Sequence, residues 1–265
     1  MKLSDLSGHW ALITGASSGI GKEFARQLAT HGMHLVLVAR RQPLLEELAS
    51  ELQSRTGVQT WPVSMDLAQE DDVGSALRNL LRKRSIQPRL ICNNAGFGRW
   101  DRFETVPLAD YVALLRLNLM APLSICHHFF EDLSSFASSV VINVSSQAGI
   151  MPLPFMATYG ASKAALHSLS LALSEEWASR GILVQTLVPG PTKTAFDNGK
   201  PGVTPAFVKR WDRVEAVVGT SLAAIDTGQR LVVTAKGFLG QKLFWAAAPA
   251  GTALRLIAGG LRPAQ

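Results

Sequence analysis

Tyrosine is nearly absent from this chain. Only Tyr111 and Tyr159 occur in 265 residues. Cysteine is as scarce: Cys92 lies in an apolar strand-like run, Cys126 in a helical one, and neither belongs to a CxxC or Cys/His spacing. Both read as small buried hydrophobes, and no metal site is indicated. Charge is sparse too, at 17% of residues against about a quarter in ordinary soluble domains. Hydrophobic residues reach 47%, enough for a sizeable core, which excludes a disordered chain. No run reaches the ~18 apolar residues of a membrane span. The first nine residues are polar, without the apolar core of a signal peptide. These absences lead us to expect a cytoplasmic protein.

What charge there is leans basic, with a net charge of +6. The cations are mostly scattered. Their densest cluster, Arg82-Lys83-Arg84, reads as the last turn of a helix, where positive charge suits the dipole. No basic stripe interleaved with stacking aromatics occurs, so nucleic acid is not an expected partner.

Short β-branched or leucine-rich runs alternate with longer helical patterns. The strand candidates are residues 9–14, 33–39, 58–63, 89–92, 140–144, 182–188 and 230–234. The helical ones are 20–31, 43–55, 70–84, 108–133, 157–180 and 204–226. Strands that are apolar throughout are buried on both faces, as in a parallel sheet. The alternation predicts an α/β fold, a single-domain Rossmann-type doubly wound parallel sheet of about seven strands with helices on both faces. We assign residues 1–235 to this domain and 236–265 to an apolar C-terminal extension of it.

Thr14-Gly15-Ala16-Ser17-Ser18-Gly19-Ile20-Gly21 follows the first strand and opens the first helix. Glycines there let the backbone turn sharply and approach a pyrophosphate, and the free amides at the helix start favour its charge. The spacing is G-x-x-x-G-x-G, which differs from the commoner G-x-G-x-x-G. At the end of the second strand a site for NAD usually places an acid, whereas an arginine suits the 2′-phosphate of NADP. This chain has Arg40-Arg41, and its first acid beyond them is Glu46. Guanidinium forks fit phosphate oxygens, which points to NADP (NADPH/NADP+).

The run 140–144 ends in Ser145-Ser146, at the strand edge where open α/β sheets bind ligands. Tyr159 follows Ser146 by thirteen residues, and Lys163 follows Tyr159 by four, one helical turn along the same face. A phenol with its usual pKa of about 10 is a poor base at neutral pH, and a neighbouring ammonium would lower that value. Tyr159 could then exchange a proton with a carbonyl or alcohol oxygen that the Ser146 hydroxyl also holds.

These motifs resemble the short-chain dehydrogenase/reductase family. The likeness rests on Thr14 to Gly21, on Asn93-Asn94-Ala95-Gly96, on Ser146, on Tyr159 to Lys163 and on Pro189-Gly190. It covers residues 8–194 and fades beyond. The resemblance implies a catalytic set of Asn118, Ser146, Tyr159 and Lys163, with Asn118 holding a water behind Lys163. It also implies that Gly15, Ser17, Ser18, Gly19, Ile20 and Gly21 cradle the cofactor. Arg40 and Arg41 would reach its 2′-phosphate, Asp66 and Leu67 its adenine, and Asn94, Ala95 and Gly96 the adenine ribose. Lys163 would bind the nicotinamide ribose beside Tyr159, and Pro189, Gly190, Thr192 and Thr194 the nicotinamide end.

Loops leaving this edge supply Phe97 and Trp100, then Gln147 and the IMPLPFM run containing Phe155, then Phe196 and Trp211. This is an apolar wall, with Arg99 and Arg102 the cations that could meet a carboxylate. The expected substrate is a hydrophobic ketone or aldehyde, or the matching secondary alcohol. The competing reading is a non-catalytic dinucleotide sensor or scaffold on the same fold, which would have no need of Ser146, Tyr159 and Lys163 together. By resemblance, the helices at 108–133 and 157–180 should pair with their mates in a homodimer or homotetramer. Their Leu166, Leu169, Leu173 and Trp177 suggest more than one apolar side. The extension contains LFWAAAPAGTAL, interrupted by Pro249 and flanked by Lys242, Arg255 and Arg262. It is too short to span a bilayer and suits a lid, an oligomer contact or a peripheral membrane segment.

Overall fold

The fold was analysed in a computed structural model that describes residues 1–194, 196 and 211–261. In chain order it contains β1 (Trp10–Thr14), α1 (Gly19–Thr30), β2 (His34–Ala39), α2 (Gln42–Thr56), β3 (Thr60–Ser64), α3 (Val73–Arg82), β4 (Pro88–Asn93) and α4 (Leu108–Leu115). There follow α5 (Ala121–Ser134), β5 (Ser139–Val144), α6 (Ala157–Glu176), β6 (Ile182–Val188), α7 (Val214–Ile225), β7 (Leu231–Val233), α8 (Phe238–Ala247) and α9 (Ala250–Leu261). The strands form one parallel sheet in the order β3-β2-β1-β4-β5-β6-β7. Each expected strand is present, with ends moved by at most two residues.

The apolar runs behave as two-sided burial requires. β5 is buried at every position, and β1 and β2 at all but the first. Strand side chains alternate between faces. Leu35 and Leu37 of β2 therefore join Phe24, Leu28, Leu45 and Val218 on the side of α1, α2 and α7. Val36 and Val38 join Leu77, Ile125 and Phe129 on the side of α3 and α5.

Local chemistry moved some helix ends. Residues 70–72, expected in the first turn of α3, lie outside it, because the Asp72 side chain caps the helix by accepting from the Ser75 amide at 3.2 Å. The expected helix at 108–133 is interrupted by a π-turn over Arg116–Met120, in which the Ala121 amide donates to the Arg116 carbonyl. By length and composition the continuous helix Leu108–Ser134 could cross a membrane. Here its Leu114, Asn118, Ile125, Phe129 and Leu133 are buried in the domain. Of the helix expected at 204–226, residues 204–210 lie outside the described residues, and α7 begins at Val214. The extension is two helices, broken where Ala248 takes the extended conformation that a following proline favours.

The side of α3 facing α5 is unusually close. The Gly74 amide donates to Ser124 Oγ at 2.8 Å, and a Cβ at Gly74 would lie 2.2 Å from the Ser124 carbonyl oxygen. Backbone, not a flexible side chain, fills that space, so the helices must separate to admit a methyl group. Gly74→Ala is expected to destabilise the protein by about 1–3 kcal/mol, the usual cost of overpacking. Urea unfolding measures this, and an unchanged midpoint would show that the contact yields without cost.

Candidate active site

The loop after β1 reaches its shape through glycine. Gly15 and Gly19 adopt φ of +68° and +56°, where a side chain is strained. A Cβ at Gly15 would stand 2.7 Å from Asn94 Nδ2, and one at Gly21 2.4 Å from the same atom. These two glycines thus admit the Asn94 side chain. That side chain donates to the Thr14 carbonyl at 2.9 Å, while the Asn94 and Ala95 amides both donate to Thr14 Oγ1, at 3.0 and 3.1 Å. The β1 and β4 loops are clasped together across the sheet's C-terminal edge. Gly19 faces Thr194 instead, whose Cβ would lie 3.0 Å from an added methyl.

The residues present fit a dinucleotide. Ser18 begins α1 without using its side chain as a cap, which leaves the first amides of the helix available to an anion. Arg41 Nη2 donates to Ser17 Oγ at 2.9 Å and Ser18 Oγ at 3.0 Å, which holds a guanidinium over the cradle. Arg40 points elsewhere: its side chain is 73% exposed and lies 3.9 Å from Asp66. Asp66 also accepts from the Ala68 amide at 3.0 Å. Leu67 and Ile20, both expected at the cofactor, also contribute to the core: Leu67 is buried in it and Ile20 packs against it.

At the edge beyond β5, the Ser146 hydroxyl neighbours the Tyr159 side chain, and its Oγ accepts from the Ala148 amide at 3.1 Å. Lys163 is 4% exposed, and its Nζ donates to the Val144 carbonyl at 2.9 Å. Burial pulls the Lys163 pKa down to about 8. Burial also pushes the Tyr159 phenol above its ordinary value, and the Ser146 hydroxyl pulls it partly back. The sequence pointed to a phenol lowered by lysine. In this structure burial dominates, and Lys163 Nζ, which donates to the Val144 carbonyl, lies 6.0 Å from the centre of the Tyr159 ring.

Asn118 sits in the π-turn, fully buried. Its Nδ2 donates to the Phe97 carbonyl at 2.9 Å and to Ser162 Oγ at 3.1 Å, and its Oδ1 accepts from the Phe97 amide at 3.1 Å. Gly96 lies between Asn118 and Lys163. A Cβ there would be 2.9 Å from Asn118 Oδ1 and 3.4 Å from Lys163 Nζ. The structure thus brings Ser146, Tyr159, Lys163, Asn118 and the Gly96 turn into one place.

Pro189 accepts from the Gln147 amide at 3.2 Å. Thr192 Oγ1 donates to the Gly190 carbonyl at 2.9 Å. These contacts set the β6 loop beside the serine loop. Trp100, Leu114, Ala148, Met156 and Tyr159 form an apolar cluster, with Phe97, Leu153 and Phe155 packed on it. The Phe196 ring lies 5.6 Å from that of Tyr159. Phe155 holds φ at +65°, and its carbonyl accepts from the Asp101 amide at 3.0 Å, tying the two aromatic loops together. Trp211 is 47% exposed and lies outside this cluster. The two candidate cations are already engaged: Arg99 with Asp110 at 3.1 Å, Arg102 with Glu104 at 3.9 Å.

Some supporting residues carried no readable signal of their own. Ser162 donates to the Tyr159 carbonyl at 2.7 Å while it receives Asn118. Ser145 Oγ donates to the Lys163 carbonyl at 3.0 Å. Adjacency to a motif serine and lysine was the only clue to either. The Trp100 indole donates to the Leu261 carbonyl at 2.6 Å, a contact across 161 residues with no local signature.

Comparison with known proteins agrees with this geometry. The short chain dehydrogenase family matches residues 9–201. A very-long-chain 3-oxoacyl-CoA reductase from Anas platyrhynchos is 31% identical over 80% of this chain and 69% of its own. The Homo sapiens protein of that name is 30% identical, and only 59% of its length is matched. Among solved structures, a short-chain dehydrogenase from Sphingobium yanoikuyae in complex with NADPH superposes with a TM-score of 0.79, at 28% identity and 97% coverage of both chains. A bulky-bulky ketone specific alcohol dehydrogenase from Comamonas testosteroni gives 0.74 at 28% identity, covering 91% of this chain and 95% of its own. The chain belongs to the short-chain dehydrogenase family and is a nicotinamide-dependent oxidoreductase acting on CH–OH or C=O groups.

Proposed function

We propose that this enzyme interconverts a bulky apolar ketone or aldehyde and its alcohol with NADP(H), using Tyr159 as the proton-exchanging group. The observation that carries the reading is the meeting of the Ser146 and Tyr159 side chains beside buried Lys163, walled by the Trp100, Met156 and Phe155 cluster. When bound, the nicotinamide supplies or accepts the hydride. The chain's own residues do the rest. Ser146 Oγ and Tyr159 Oη converge on one substrate oxygen, and Tyr159 gives or takes its proton. Lys163 stabilises the resulting phenolate, and Asn118 keeps the Phe97 turn and Ser162 in register behind it. The aromatic wall excludes water, and the two candidate cations of the described loops, Arg99 and Arg102, already have acidic partners. Relatives named for reduction of very-long-chain 3-oxoacyl-CoA, and a neighbour named for bulky ketones, support the same class.

NADP rather than NAD is supported by Arg41. It already bridges Ser17 and Ser18 at the cradle, whereas Arg40 lies out by Asp66. Oligomerisation is supported by exposed Leu108, Val112, Leu115, Met120, Leu123 and Leu171 on α4, α5, α6 and the π-turn. Leu166, Leu173 and Trp177, which also suggested a partner, turn instead toward their own domain.

Three outcomes test this reading. Tyr159→Phe keeps the ring and loses the ionisable hydroxyl. Its turnover on hydrophobic ketones should fall at least ~100-fold with little change in NADPH affinity, and near-normal turnover would remove Tyr159 from the mechanism. Arg41→Ala should weaken NADPH binding tenfold or more, since a charge-assisted contact contributes about 1.5–3 kcal/mol, and leave NADH unchanged. Fluorescence titration of both nucleotides decides it, and equal affinities in the unmodified protein would refute NADP selectivity. Light scattering at micromolar concentration should give at least twice the 28.5 kDa chain mass. A monomeric value would discard the oligomer.

A further inference from the structure

The chain's charge is distributed unevenly. Of its 26 cations and 20 acids, the segment from Thr227 to the C-terminus holds five cations, Arg230, Lys236, Lys242, Arg255 and Arg262, and no acid. The first 226 residues hold the other 21 cations and all 20 acids. Nearly the whole net charge therefore sits in one terminal segment.

The same segment exposes its apolar side chains. On α8, Leu239 is 67% exposed, Leu243 60% and Phe244 41%, and on α9 Leu256 is 63% exposed. Leu239 and Leu243 are four apart, on one helical face. A surface helix of a soluble domain normally turns such a stripe inward. Among the described side chains of the two helices, burial is confined to Ala253 and Leu261 on α9. The Trp100 indole fastens the far end of α9 through the Leu261 carbonyl. The two helices are thus anchored at one end and present oily residues at the other. Arg230 is held by Glu175. Lys236, just before α8, and Arg255, next to Leu256, are exposed and have no carboxylate partner among the described residues.

We propose that α8 and α9 form a docking surface for an anionic lipid bilayer. α8 has ten residues, about 15 Å of helix, which cannot cross the ~30 Å hydrocarbon layer. It lies in the interface instead, with Leu239, Leu243 and Phe244 entering the acyl region and Lys236 and Arg255 meeting lipid phosphates. The absence of any acid over the whole segment removes the repulsion that would otherwise oppose a negative surface. A second copy of the chain is the rival occupant. It offers no comparable excess of negative charge, since the residues before Thr227 hold 21 cations against 20 acids. The inference does not rest on the identity of the substrate.

The test uses the full chain and sedimentation with vesicles. Binding is expected to equimolar phosphatidylcholine and phosphatidylglycerol, and to fall sharply on phosphatidylcholine alone or in high salt. Each cation near an anionic leaflet strengthens binding roughly fivefold, so Lys236→Gln with Arg255→Gln should weaken it roughly 25-fold. Leu239→Ser with Leu243→Ser should abolish it. NADPH affinity and melting temperature, measured on every variant, should match the parent and so exclude misfolding. The proposal is overturned if the parent does not pellet with anionic vesicles, or if the leucine variant pellets equally well. It is also overturned if light scattering shows that the leucine variant lowers the oligomeric mass, because a second copy would then be what covers α8.

Discussion

A buried amine sets the geometry of this enzyme. Lys163 lies almost entirely out of water, and desolvation draws its pKa down to about 8. An ammonium tolerates such a place only with an oxygen beside it, and the carbonyl of Val144, the last residue of β5, supplies one. Ser145 returns the contact by donating to the Lys163 carbonyl. Two hydrogen bonds running in opposite senses thus lock one turn of α6 to the end of one strand. A Cβ at Gly149 would lie 2.7 Å from the Lys163 carbonyl carbon, so the chain passes the same turn with no room to slip. Once that register is fixed, Tyr159 stands one turn back along the helix and meets Ser146 without further adjustment.

The cofactor side depends on a second clasp. In this strand order the chain leaves β1 toward β2 on one side and returns to β4 on the other. The loops after β1 and β4 diverge above the sheet, and open α/β folds bind ligands in such a crevice. Divergent loops need something to hold their spacing. Thr14 and Asn94 provide it, with three hydrogen bonds between them and Ala95. Gly15 and Gly21 are glycines in part because the Asn94 amide occupies the space of their missing side chains. The two clasps meet at Gly96, where an added Cβ would press on Asn118 Oδ1 and come into contact with Lys163 Nζ.

This structure explains which features the sequence could reveal. Strands β1, β2 and β5 were legible because two-sided burial leaves uninterrupted apolar runs, and the catalytic pair because four residues along a helix is a local spacing. The α3 start was not, since Asp72 is chosen as cap by contacts that include Ser124 and His128, far along the chain. Nor was the π-turn, whose reason is the fit of Asn118 to the Phe97 backbone. Arg99 looked available to a substrate because Asp110, eleven residues on, enters only when loop and helix come together. The last seventy residues carried least, as their Ala-, Gly- and Leu-rich helices serve several packings equally well in pattern.

The Tyr159 pKa shows where residue pairing and environment disagree. The spacing to Lys163 argues for a lowered phenol, but a phenolate is itself a charge, and burial opposes it as it opposes the ammonium. With Lys163 donating to Val144, burial dominates and Tyr159 rests above its ordinary pKa. A group shifted upward holds its proton throughout the neutral range. On the proposed mechanism that is the form needed to protonate a carbonyl oxygen. Oxidation of an alcohol requires the phenolate instead, the form that burial disfavours at this position.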